Sequence, residues 1–298
     1  MLTIDSKPRQ HIRRTRDDYI ISAIAYTVVC LFALACFIPF LLVVIYSFTP
    51  YDLYLKNHFD FFPERLTLDA YRMVIKYKYI WTGYRNTIFI TLMGTALSMV
   101  LLVLTAYPLS KRDLKGRNVM MTLWIITMFF SGGMIPNYFL IRSLGLLNSL
   151  WSMILPGVLG CYNLVLMKNY IRGLLESLEE AARIDGANDL VVLLRIVLPL
   201  CKPILATLAL FTAVGYWNSY FNAIIYITKR PQWPLQLVLR ELLFESAANE
   251  VAAMDERVST PFLLKMASIV VASVPIMCVY PLLQKYFMTG LVLGGVKE

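Results

Sequence analysis

The sequence predicts an all-α, polytopic membrane protein with six transmembrane helices, and three observations lead there. Apolar residues fill 58% and charged residues 16% of the 298 positions, against about half and about a quarter in ordinary soluble domains. The apolar residues gather into six runs, each free of charge over about the twenty positions a helix needs to cross a hydrocarbon core of roughly 30 Å. The net charge of +9 lies in the polar segments between those runs, which points to anionic headgroups rather than nucleic acid as its partner. Backbone groups in lipid must bond within their own segment, so the runs are helices.

The chain opens with a basic tail, residues 1–19, carrying Lys7, Arg9, Arg13, Arg14 and Arg16. The run Ile20–Phe48 is longer than a signal-peptide core and reads as an uncleaved first span. Five further spans follow at Asn86–Ser110, Asn118–Ile141, Leu147–Met167, Pro203–Tyr226 and Met266–Leu283, inside a membrane domain covering 20–285. Six spans place both termini on one side. The short loop Lys111–Arg117 carries four basic residues, whereas Arg142 stands alone after the third span, so that side is the cytoplasm. Residues 168–202 and the tail 286–298 are then cytoplasmic, and Asp52–Arg85 and Ile227–Lys265 lie outside.

Smaller signals sit between and within the spans. Thr67-Leu68-Asp69 opens a short interfacial helix with Leu68, Tyr71 and Ile75 on its apolar face. Pro231 and Pro234 precede a helix over Leu235–Ala253 with Leu235, Leu239 and Leu242 aligned. Ser131-Gly132-Gly133-Met134-Ile135-Pro136 interrupts the third span, because paired glycines weaken a helix and proline removes a donor; a kink or unwound turn is expected. The fifth span ends in Trp217-Asn218-Ser219-Tyr220-Phe221-Asn222, where helical spacing puts Asn218 and Asn222 on one face. Amides beside aromatic rings suit the hydroxyls and apolar faces of neutral sugars, and equally suit helix packing. Asn86, Asn137, Asn163 and Tyr162 are further polar candidates.

Catalytic and metal chemistry find no residues to work with. The cysteines Cys30, Cys36, Cys161, Cys201 and Cys278 have no C-x-x-C spacing, and the two histidines, His11 and His58, lie in polar segments. No charge sits mid-span to relay an ion. Gly290 and Gly295 have the separation of a phosphate-binding loop, but Val296 stands where lysine is required.

One polar stretch organises the rest: Glu180-Ala181-Ala182-Arg183-Ile184-Asp185-Gly186-Ala187-Asn188-Asp189, running on to Ile196-Val197-Leu198-Pro199. It reads as helix, turn, helix: strong helix formers, then Gly186 where a positive φ is needed, then Asn188 or Asp189 as a cap, with Pro199 and Pro203 limiting the second helix. The spacing Glu-Ala-Ala, three residues, Gly, nine residues, Ile, one residue, Leu-Pro resembles the EAA loop of bacterial ABC importer permeases, and the chain from first span to tail resembles the maltose-type smaller permeases of carbohydrate importers. The segment around Ser131–Leu146 is similar to the subgroup for complex or acidic oligosaccharides.

That resemblance implies a type I ABC importer permease fold in the bacterial cytoplasmic membrane. It implies as partners a second homologous permease, two ATPase subunits, an extracytoplasmic solute-binding protein, an oligosaccharide substrate (alginate- or pectin-derived acids among the options) and membrane lipid, with no nucleic acid. This chain is then not an enzyme and holds no cofactor of its own; ATP and Mg belong to the ATPases. Glu180 through Ala187, with Ile196, Leu198 and Pro199, couple to the ATPase; residues 228–262 reach the binding protein, or lie on the membrane surface; Gly294-Gly295-Val296-Lys297 resembles the tail that meets the ATPase interface. Trp217, Asn218, Tyr220, Asn222, Asn137 and Asn163 are the substrate-pathway candidates. The alternatives are a self-sufficient secondary transporter or channel, or an ABC permease for a non-sugar solute.

Overall fold

The computed structural model describes residues 16–56, 63–184, 187–252, 263–278 and 281. Among them there is no strand. The helices are α1 (Arg16–Phe48), α2 (Tyr51–Lys56), α3 (Asp69–Lys76), α4 (Ile80–Ser110), α5 (Arg117–Phe129), α6 (Met134–Ser143), α7 (Trp151–Ile154), α8 (Cys161–Ile184), α9 (Asp189–Val192), α10 (Leu198–Leu200), α11 (Lys202–Trp217), α12 (Phe221–Tyr226), α13 (Leu235–Ala252) and α14 (Leu263–Cys278). The fold is all-α and polytopic, with each of the six apolar runs helical over most of its described length.

The other helices are arranged around α4. It buries Ile80, Ile90 and Leu102 in three successive apolar clusters. Ile80 shares a cluster with Val74, Trp217, Leu235, Leu239 and Ala267; Ile90 shares one with Ile154, Tyr216 and Tyr226; Leu102 shares one with Leu164, Met167, Val197 and Leu208. The helices α8, α11 and α13 all pack along it. Gly83 permits one of these crossings, since an added Cβ would stand 3.2 Å from both Leu235 Cα and Val238 Cγ2. The same junction is stitched by the Leu235 N–H, which donates to Thr87 Oγ1 at 2.7 Å. Asn86 Nδ2 donates to the Pro231 and Trp233 carbonyls at 2.9 and 3.0 Å, which makes this amide a structural clamp.

The first helix begins at Arg16, four residues before the apolar run, and its large apolar side chains from Tyr19 to Ile38 are exposed. An apolar surface of that extent suits lipid or another membrane helix. Among the described residues its end is what meets the body: Ser47 Oγ and Tyr71 Oη share a hydrogen bond of 2.7 Å, and the Thr67 N–H donates to the Phe48 carbonyl at 2.7 Å. The short helix α3 buries Ala70 and Val74 and half-buries Tyr71, while Leu68 and Ile75 stay exposed, so its packed face is turned from the one the sequence suggested.

Three of the six spans are not single rods: the unwound turn expected in the third is present, and the breaks in the fourth and fifth correct their expected form. Only α1 and α4 are uninterrupted helices of crossing length among the described residues. The third span unwinds after Phe129 and resumes at Met134 with a bend of 115°, far beyond a kink, through Gly133 at φ +84. The fourth bends by 52° near Gly160, and the 76° bend at Cys201 separates residues 189–200 from α11. Past the fourth-span bend, α8 continues without a break to Ile184, so the segment after Met167 begins as more of the same helix. The fifth span stops at Trp217 and restarts at Phe221. Asn218 and Asn222 therefore do not share the face of one continuous helix. The helix α13 turns Leu235, Leu239 and Leu242 inward against α4 and α14 rather than onto a membrane surface; residues 253–262 lie outside the described part.

Candidate functional site

Two regions collect the sequence-level candidates: an elbow at the Ile184 end of α8 and a polar cavity further along the same helix. Glu180, Ala181, Ala182, Arg183 and Ile184 form the last residues of α8. Asp185 and Gly186 lie outside the described residues. Beyond them Asn188 caps α9, its Oδ1 accepting from the Val191 N–H at 2.9 Å. Asp189 pairs with Lys111, whose ammonium also lies 4.7 Å from the Tyr107 ring centroid. This fastens the elbow to the basic loop after α4.

Beyond α9 the helix widens into a π turn over Leu193–Val197. Pro199 has no N–H to offer the Arg195 carbonyl, so the regular ladder cannot continue there. Ala187, Ile196 and Leu198 pack against the cluster of Leu102, Leu164, Val192 and Val197. The elbow is thus built into the apolar core on its returning side.

The cavity holds about 260 Å³ and is lined by Ser98, Asn163, Thr212, Tyr216, Ser219 and Asn222 together with Met99, Leu102, Met153 and the backbone around Gly157–Gly160. Two helix breaks border it, at residues 158–160 and 218–220. Interrupted backbone is tolerated at membrane depth where protein or water covers the freed groups. Asn163 Nδ2 donates to Thr212 Oγ1 at 3.3 Å, joining α8 to α11 across the wall. Tyr216 Oη donates to the Ile154 carbonyl at 3.2 Å and lies 3.4 Å from Ser98 Oγ. Among the described residues no charged side chain lines the space. Its hydroxyls, amides and phenol can exchange hydrogen bonds with a polyol. At this volume it is smaller than the roughly 300–1,000 Å³ of a complete ligand pocket.

Of the pathway candidates, Asn163 and Asn222 line this cavity and the others do not. Trp217 is buried in the cluster around Ile80 and donates Nε1–H to the Ala272 carbonyl at 3.1 Å. Asn218 Oδ1 accepts from Gln236 Nε2 at 3.4 Å, and the Tyr220 ring carries Arg240 5.0 Å from its centroid. Asn137 on α6 and Tyr162 on α8 are exposed. Gly294, Gly295, Val296 and Lys297 lie outside the described residues. Ser98, Thr212, Tyr216 and Ser219 were missed by sequence reasoning; isolated hydroxyls in apolar spans, with Gly94 one turn before Ser98, were the available signal. Among the described residues no group of His, Cys, Asp and Glu is arranged to hold a metal.

No protein-family model matches the sequence. The chain is 43% identical over 275 residues to the polygalacturonan/rhamnogalacturonan transport system permease protein YtcP of Bacillus subtilis, covering 91% of this chain and 96% of that protein. It is 29% identical over 274 residues to the arabinooligosaccharides transport system permease protein AraQ of Halalkalibacterium halodurans, covering 89% and 94%. A solved bacterial ABC transporter involved in the import of the acidic polysaccharide alginate contains a chain that superposes with a TM-score of 0.80 and 33% identity, over 92% of this chain and 99% of that one.

Proposed function

The chain belongs to the permease subunits of carbohydrate ABC importers, and from that membership we propose that it carries acidic oligosaccharides, with the helices on either side of its elbow converting ATPase motion into access to the cavity. A permease of this family is a non-catalytic membrane subunit that works with other importer components. The acidic class is supported by the polygalacturonan name of one relative and by the alginate importer that shares the fold. The small cavity supports a pathway completed by a second permease. In this reading the Ile80 end of α4 is extracytoplasmic, the elbow and both termini are cytoplasmic, and a separate pair of ATPases binds ATP and Mg.

One observation carries the mechanism. The hydrogen bond that joins the cavity walls, Asn163 to Thr212, links α8, which enters the elbow, to α11, which follows the elbow's returning segment across the bend at Cys201. Asn163 and Glu180 share the unbroken α8, seventeen residues or roughly 26 Å apart at the rise of an α-helix. A rigid rod of that length moves the cavity wall when its cytoplasmic end is displaced. ATP can bias the inward–outward equilibrium only through contacts that differ between the two states, and the end of α8 is where such contacts can be made without touching substrate.

Gly186→Leu tests this. Reconstituted with its partner subunits, the variant should insert and assemble, yet lose both uptake and the stimulation of ATP hydrolysis by loaded binding protein. Normal stimulation in an assembled variant would remove the elbow from the coupling role.

A further inference from the structure

The outer end of the pathway holds a cation that nothing in the coupling or cavity scheme uses. Gln236, Arg240 and Phe244 recur every four residues on α13 and form one stripe beside the stripe of leucines that packs inward. The stripe faces the α11–α12 break: Gln236 meets Asn218, and the Arg240 guanidinium stands 5.0 Å from the Tyr220 ring centroid and 5.3 Å from that of Phe244. Among the described residues no carboxylate pairs with Arg240. The neighbouring acid, Glu241, is already engaged by Arg230 and by the Tyr77 hydroxyl.

Two rings beside a guanidinium hold it by cation–π attraction without using its N–H groups. The planar fork stays available, and its spacing matches a carboxylate bidentately. Tyr220 and Phe244, 40% and 62% exposed, also present apolar faces on which a sugar ring can rest. Position adds to chemistry. The start of α13 is level with Thr87 on α4 and the Tyr77–Glu241 bond carries it toward the beginning of α4. The cavity wall reaches Ser98, eleven residues or roughly 16 Å deeper than Thr87. Tyr220 directly follows Ser219 of the cavity lining, so the two places adjoin.

We propose that Arg240, held by Tyr220 and Phe244 above the uncharged cavity, is a carboxylate-binding site that engages uronate units of the oligosaccharide as they enter. The proposal rests on the acidic-substrate reading above and gives it a residue. Charge recognition is confined to the mouth, and the cavity beyond offers only neutral contacts that let the chain pass.

The test uses the assembled complex in nanodiscs, trapped outward-facing with ATP and vanadate and without binding protein. The probes are trigalacturonate and its methyl ester. Wild type should retain the acid at least about tenfold better than the ester, the scale of a charge-assisted contact. Arg240→Gln should lower acid binding to the level of the ester and leave ester binding unchanged, and Arg240→Lys should restore part of the preference. If Arg240→Gln keeps the wild-type preference, or weakens acid and ester alike, the site is not at Arg240 while the acidic reading stands. If wild type itself shows no preference, the acidic reading fails and this site fails with it.

Discussion

Replacing Gly94 by alanine should drive the Tyr216 ring out of the cavity wall. An added Cβ at Gly94 would fall 2.6, 2.7 and 2.9 Å from Tyr216 Cε2, Cζ and Cδ2. Carbon atoms rest at about 3.5–4.0 Å, so the ring must retreat by roughly 1 Å. It has little room: Tyr216 is buried, and its hydroxyl is held between the Ile154 carbonyl and Ser98. Overpacking of this kind costs about 1–3 kcal/mol, and loosening the phenol's hydrogen bond costs about 1 kcal/mol more. Helix propensity opposes this, favouring alanine over glycine by about 1 kcal/mol. The net expectation is a loss of about 1–3 kcal/mol, together with reduced uptake, because the displaced ring belongs to the cavity lining. Gly215 supplies the control: it lies on the facing helix and an added Cβ there meets open space. The assay compares apparent unfolding temperatures of the purified complex for Gly94→Ala, Gly215→Ala, Tyr216→Leu and the Gly94→Ala/Tyr216→Leu pair. The pair should be more stable than the two single losses added together, since a shorter side chain removes the collision. Equal tolerance of the two alanines, or strictly additive losses in the pair, would refute the argument.

Asn148 has φ +56 and accepts three hydrogen bonds on Oδ1, from Thr228 N, Thr228 Oγ1 and Lys229 N at 2.8, 2.9 and 3.1 Å. Asn148→Ala should lower stability by about 2–3 kcal/mol, and Asn148→Gly by less, because only alanine resists the left-handed backbone; equal losses in thermal unfolding would show that the backbone term is absent. At the cavity, Asn163→Leu and Asn222→Leu should each cut uptake of labelled oligosaccharide several-fold, or about 1 kcal/mol of interaction, while basal ATP hydrolysis by the complex is kept. Uptake at the wild-type rate would place the pathway elsewhere.

Much of the framework was legible because the signals are local. A charge-free run of membrane length has one stable fate in lipid, so the six apolar segments could be located from composition along the chain. The Asn188 cap follows from a side chain that reaches its own backbone three residues on. The disruption near Gly133 follows from glycine and proline chemistry, and the aligned leucines of α13 from helical period. The sizes of the bends were not legible. A span that stops at Trp217 and restarts at Phe221 looks, in sequence, like an unbroken one, and helical spacing then puts Asn218 and Asn222 on one face. Tyr216 is matched to Gly94 across more than a hundred residues, a complementarity that no periodicity records. Asn86 illustrates the same limit, since a polar residue in a span can serve cargo or backbone, and here its amide donates to the Pro231 and Trp233 carbonyls.

Sequence by itself determined the membrane setting, the six helical segments and the family through the Glu180–Pro199 spacing. Tertiary structure alone decided which polar side chains meet: Asn163 and Asn222 at a cavity with Ser98 and Thr212, Trp217 in packing, and Arg240 between two rings. The division has a physical cause. Transfer of a segment into lipid depends on its own residues, whereas the partner of a polar group depends on where helices break and cross, and that is set by contacts between residues far apart in the chain.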